Sequence, residues 1–257
     1  MRYIQSALLL SIMMIMTACS GGNASSKVSD LNHPPTHMSD TELLEQNSTD
    51  REKSQKQLPQ SVTLDYTAAK EAEVHVKQIK TDPSAEKLRL HENIIVYARE
   101  SEGTALFLGQ LQEDTIHELG EIGEEHYLPE ISAAKDQVFG EEMNIVSGLC
   151  GANCMVNYIF SNTDDHMKMP IVVYGGLFIT DLGEDGNHEV VTSSGTIAEK
   201  VIYKMVDGQI MSVQVNKALG ITDSVGFDPE TGTFEVYIEN EKVQYQYIGE
   251  DQLVQVE

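Results

Sequence analysis

The chain has 257 residues, of which 41 are acidic and 17 are lysine or arginine, giving a formal net charge of −24. A surface of that sign repels polyanions, which argues against nucleic acid and anionic lipid headgroups as partners. Cations and basic partners stay open, and the same acidity keeps an exported domain soluble.

The chain opens Met1-Arg2-Tyr3 with one positive charge, and Ala7 to Met16 is apolar except for Ser11. A charged start, an apolar run of about ten residues and the small pair Thr17-Ala18 form an export signal. The run is too short to span a bilayer, which takes roughly 18 to 20 apolar residues. The tetrad Met16-Thr17-Ala18-Cys19 resembles the lipobox of bacterial lipoproteins. The resemblance implies cleavage before Cys19, a diacylglycerol on its sulfur and a mature protein held on the extracytoplasmic face of the cell membrane. Acyl chains contribute about 0.8 kcal/mol per buried methylene, so two or three on one residue make a firm anchor. Residues 1–18 then drop out of the fold.

After the lipidated Cys19, residues 20–60 are rich in Ser, Asn, Asp, Glu, Gln and Lys, include Pro34-Pro35 and lack clustered large apolar side chains. This composition cannot bury a core and is expected to be a flexible tether over residues 19–60. As a coil of about 40 residues it would reach some 35 to 40 Å from the membrane. Residues 61–257 make the domain, beginning with an ambiguous lead-in over 61–87. There Ser61 to Tyr66 alternates like a strand, whereas Ala68 to Ile79 mixes helix-forming residues with an alternating Val74-His75-Val76.

From Leu88 onward the pattern is short strands and turns. Asn93 to Ala98 and Thr104 to Leu108 flank Ser101-Glu102-Gly103 as a hairpin. Strands are expected at Met143–Val146, Val156–Phe160, Pro170–Tyr174, Glu189–Thr192, Lys200–Lys204, Ile210–Val215, Thr233–Ile238 and Lys242–Ile248. Asp207-Gly208, Glu230-Thr231-Gly232 and Glu239-Asn240-Glu241 supply turns. The expected class is all-β, an antiparallel meander or a small propeller-like domain. Its four loose units cover residues 88–125, 126–169, 170–219 and 220–257.

With Cys19 lipidated, Cys150 and Cys154 are an even pair in a compartment that permits disulfides. In an extended strand their α-carbons would stand about 13 Å apart, against the 5.5 to 6 Å a disulfide needs. A bridge therefore requires Gly151-Ala152-Asn153 to turn, and Gly and Asn favour turns. Half a zinc shell, a redox pair and buried free thiols are the alternatives.

One loop carries chemistry: Thr180-Asp181-Leu182-Gly183-Glu184-Asp185-Gly186-Asn187-His188-Glu189, between strand-like runs. Alternate carboxylates around a glycine can converge on a hard cation such as calcium, and can equally be solvated turn residues. The loop resembles the Asp-rich loop of FG-GAP and VCBS repeats, found in integrin-type propellers and exported bacterial lipoproteins. Gly175-Gly176-Leu177-Phe178 and Ser193-Ser194-Gly195-Thr196 fit the same pattern. The resemblance implies a weak calcium site with Asp181, Asp185 and Glu189 as carboxylate ligands, Asn187 as a carbonyl ligand and Gly186 at the bend. Gly183 stands where a further ligand is usual.

Among the eight histidines, His166 and His188 are the better ligand candidates. His33, His37, His75 and His91 lie in or beside the tether and lead-in, and His117 and His126 stand among glutamates. No metalloprotease, nucleophile-elbow, phosphate-loop or cysteine–histidine motif occurs. The expected function is a membrane-anchored, non-enzymatic module that binds a protein or glycan at the cell surface. The alternative is a cell-wall or polysaccharide hydrolase. It would need two carboxyls about 5 to 5.5 Å or 6.5 to 9.5 Å apart in a cleft.

Overall fold

The computed structural model describes residues 58–80, 85–91, 93–163, 166–238, 241–249 and 251–256. The export signal, Cys19 and the tether up to residue 57 lie outside them. Among the described residues no helix is long and apolar enough to cross a membrane.

The domain is all-β and antiparallel. Three short strands come first: β1 (Ser61–Thr63), β2 (Thr67–Ala68) and β3 (Lys77–Lys80). Four sheets then follow in chain order, each an up-and-down meander of four consecutive strands. The first comprises β4 (Glu86–Arg89), β5 (Ile94–Ala98), β6 (Ala105–Gln112) and β7 (Thr115–Glu124). The second comprises β8 (Ser132–Val138), β9 (Glu141–Gly151), β10 (Cys154–Thr163) and β11 (His166–Tyr174). The third is β12 (Gly176–Thr180), β13 (Glu189–Ser194), β14 (Glu199–Val206) and β15 (Gln209–Gln214), followed by the single turn α1 (Val215–Ala218). The fourth is β16 (Val225–Asp228), β17 (Thr233–Ile238), β18 (Glu241–Tyr247) and β19 (Gln252–Val256).

The hydrophobic pattern explains how the sheets stack. Neighbouring side chains on a strand point to opposite faces, so a sheet buried on both sides needs unbroken apolar runs. In β9, Ile145 packs towards the third sheet with Val190 and Tyr203, whereas Val146 packs towards the first with Ile94 and Leu108. In β13, Val190 faces the second sheet and Val191 faces the fourth, against Phe234 and Tyr245. The fourth sheet is apolar on one face only, as the strict alternation of buried Phe234 and Val236 with Glu235 and exposed Tyr237 requires. Three buried clusters are therefore shared between successive sheets. A fourth, formed by Ile95, Tyr97, Phe107 and Ile116, belongs to the outer face of the first sheet alone. Close approach of the first two sheets depends on glycine: a β-carbon at Gly148 would lie 2.1 Å from the Ile122 carbonyl oxygen, and one at Gly120 2.4 Å from the Tyr158 hydroxyl.

The lead-in is neither a helix nor one strand. Residues 61–80 are a strap that visits the sheets in reverse order. β1 pairs with β19 and β2 with β15, Glu73 bridges to Ile171 of β11, and β3 pairs with β7. In every sheet the strap takes the free edge of the last strand. It crosses between sheets on small buried residues, Ala69 and Ala72, exposed by only 2% and 1%.

Cys150 and Cys154 form a disulfide, with α-carbons 5.0 Å apart. Gly151 pairs with Cys154 and the register slips one residue beyond it, so Ala152 and Asn153 make the turn that the bridge needs. Closing so short a loop restricts the unfolded chain modestly. Replacing both cysteines by serine is expected to lower the unfolding free energy by about 2 kcal/mol, measured by denaturant titration, with the strand content retained.

Candidate functional site: the acidic loop and the cavity beneath it

The acidic loop joins the end of β12 to the start of β13, where Thr180 and Glu189 are directly paired. Its conformation is set by its own side chains. The Asp181 carboxylate accepts hydrogen bonds from the amides of Asp185 at 3.0 Å and Gly186 at 2.9 Å. Asp185 accepts from the Asn187 amide at 2.8 Å, and Glu189 reaches back to the Leu182 amide at 2.9 Å. Gly186 at φ 85° and Glu184 at φ 52° supply the left-handed residues of the turn. The second sheet leans on this loop, since the Phe139 amide donates to the His188 carbonyl at 3.0 Å.

These contacts bear on each expected ligand. Asp181, Asp185 and Glu189 do come together on one loop, but their carboxylates serve the loop's amides. Among the described residues no group of three or more His, Cys, Asp or Glu side chains is placed to hold a metal. The Gly183 position faces Asp185 and Tyr247, with 3.8 and 3.9 Å from a built β-carbon to their nearest atoms. His166 opens β11 in the second sheet, outside the loop.

Beneath the loop lies a cavity of about 550 Å³ lined by Phe139, Asp185, Asn187, His188, Glu189, Lys204, Tyr247 and Asp251, among others. Its floor comes from distant parts of the chain. Lys204 of β14 ion-pairs with Asp251, which also accepts a hydrogen bond from the Tyr247 hydroxyl at 2.9 Å. The Lys204 ammonium stands 4.1 Å from the centre of the Tyr66 ring, a cation–π contact that links the strap to the site. One polar atom here, Nδ1 of His188, is buried without a hydrogen-bond partner, and the buried Tyr66 hydroxyl faces that of Tyr247. Burial raises the Tyr66 and Tyr247 hydroxyls well above the usual tyrosine range.

Glu189 is the most perturbed carboxyl. It is 7% exposed. Burial raises its pKa from 4.5 to about 7, offset in part by the Leu182 amide and reinforced by the charges of Asp185 and Asp181. A hydrolase would need carboxylates free to act across the cleft. Here Asp185, Glu189 and Asp251 are each held by contacts of the fold itself.

Sequence reasoning missed Tyr66, Phe139, Lys204, Tyr247 and Asp251. One signal was present for Lys204: period-two alternation in β14 sets Lys200, Ile202 and Lys204 on one face, with Ile202 fully buried. A lysine on an inward face asks for a partner. No family model matches the chain, and no curated protein or solved structure is significantly similar to it.

The folded state binds the Glu189 proton more tightly than the unfolded chain, so between about pH 4.5 and 7 stability falls as pH rises, and it levels off above. Thermal unfolding in chelator between about pH 5 and pH 8 is expected to show this decline. Glu189→Gln should flatten it, since the amide cannot ionise and its oxygen still accepts from Leu182. An equal slope in the variant would mean that Glu189 is not the group responsible.

Proposed function

We propose that the chain is a lipid-anchored, extracytoplasmic β module that binds a protein or glycan at the cell surface through the cavity beneath the acidic loop. The carrying observation is Nδ1 of His188, buried without a partner at the cavity. An unsatisfied buried polar atom costs about 1 to 3 kcal/mol, which a bound group would recover. Aromatic walls from Phe139 and Tyr247, beside the polar groups of Asn187 and Asp251, suit a hydroxyl-rich sugar or a polar side chain. The FG-GAP-like reading rests on the acidic loop and on four consecutive meanders. Of the two expected architectures, the packed meander is supported by the three buried cores shared between successive sheets among the described residues.

Anchoring rests on the lipobox. Cys19→Ala is expected to leave an uncleaved precursor that incorporates no labelled fatty acid; a variant that matures and stays acylated would remove the anchor from this reading. For binding, immobilised full-length protein should retain an envelope glycan or protein that Asn187→Ala/His188→Ala retains at least about tenfold less, with an unchanged melting temperature. Equal retention by both proteins would move the binding surface elsewhere.

A further inference from the structure

At the other end of the third sheet lies a second arrangement, independent of the cavity. Ser193 of β13 and Lys200 of β14 are directly opposed across the strands, and the Lys200 ammonium nitrogen stands 2.7 Å from the Ser193 hydroxyl oxygen. Lys200 is 4% exposed. Its other recorded side-chain partner is the Ala198 carbonyl at 3.3 Å, and no described carboxylate forms an ion pair with it. A lysine is almost never buried without a counter-charge. Asn216 of α1 closes this end, accepting from the Lys200 amide at 2.9 Å and donating to the Asp223 carbonyl at 2.8 Å.

Ser193 itself is half-buried. On its other side the directly paired residue is Gly176, which presents no side chain, and a β-carbon built there would still be 3.9 Å from that of Ser193. The hydroxyl thus has the Lys200 amine on one flank, and the strand residue paired on the other carries no side chain.

We propose that Ser193 and Lys200 form a nucleophile–base pair for acyl transfer, with an ester or activated amide as the class of substrate. Burial without a counter-charge lowers the Lys200 pKa and favours the neutral amine, the form able to take the serine proton. The Ser193 oxygen attacks the acyl carbonyl while its proton passes to the Lys200 nitrogen. The bond from the carbonyl carbon to the leaving group breaks, and the leaving group takes the proton from Lys200. Water then adds to the acyl-serine, giving up a proton through the same amine to the departing serine oxygen, and the acid is released.

The test uses the full chain and p-nitrophenyl acetate, a small acyl donor, with peptide mass spectrometry to locate the acetyl group. The expected result is acetylation at Ser193, lost in Ser193→Ala and slowed at least about 100-fold in Lys200→Met, which keeps the length of the side chain without the base. Should Lys200→Met fail to fold, the pH profile of Ser193 acetylation in the unaltered protein decides. It should rise with one ionisation whose midpoint lies below the usual lysine value of 10.5. Acetyl groups only on other residues, an unchanged rate in folded Lys200→Met, or a profile with no such midpoint would overturn the proposal.

Discussion

A meander leaves the last strand of each sheet with a row of unpaired amides and carbonyls, and four meanders in one chain repeat that problem four times. Here the solution is a single segment. Residues 61–80 pair with β19, β15, β11 and β7 in turn, with backbone contacts such as Ala69 to Ile210 and Val74 to Pro170 between the longer pairings. Each pairing is too short to persist alone, because ordering a few residues costs more than two or three hydrogen bonds return. The strap is held because the sheets are already stacked, and its backbone couples the four sheets in return. The Tyr245 hydroxyl adds a bond to the Pro59 carbonyl at 2.7 Å, just ahead of β1.

This division explains what could be read in the sequence. The four units at residues 88–125, 126–169, 170–219 and 220–257 follow the four sheets in number and order, because each sheet is local in the chain. The boundary at 169/170, however, cuts β11, whose residues Pro170 to Tyr174 belong to the second sheet and not to the third. Apolar runs such as Ile94 to Tyr97 mark strands buried on both faces, and the alternation of Thr233 to Ile238 marks a sheet with one face in solvent. The strap stayed ambiguous for a physical reason. A segment that gives one to four residues to each of four sheets has no constant period, and its helix-like alanines are small because they cross between sheets.

The same contrast runs through the candidate site. The acidic loop was legible because its determinants are local: Asp181, Asp185 and Glu189 satisfy amides two to seven residues away. Its spacing also suggested calcium, but the spacing alone cannot distinguish ligating a cation from capping a turn. The floor of the cavity depends on contacts across the chain. Lys204 and Asp251 are 47 residues apart, and Tyr66 comes from the strap. Only the packing of the third sheet against the fourth brings these groups together, so no local pattern announces them.

The third sheet also shows how one strand can give two lysines opposite chemical characters. Lys200 and Lys204 share a face of β14, flanking the fully buried Ile202. At Lys204 the strap and the fourth sheet supply an aromatic face and a carboxylate. At Lys200 the same two elements supply no partner, and the amine meets a hydroxyl and a carbonyl, which hydrogen-bond without neutralising it. The first lysine builds a wall of the cavity through its ion pair and its aromatic contact. The second is buried without a counter-charge, which lowers its pKa towards the neutral amine that the proposed base must be.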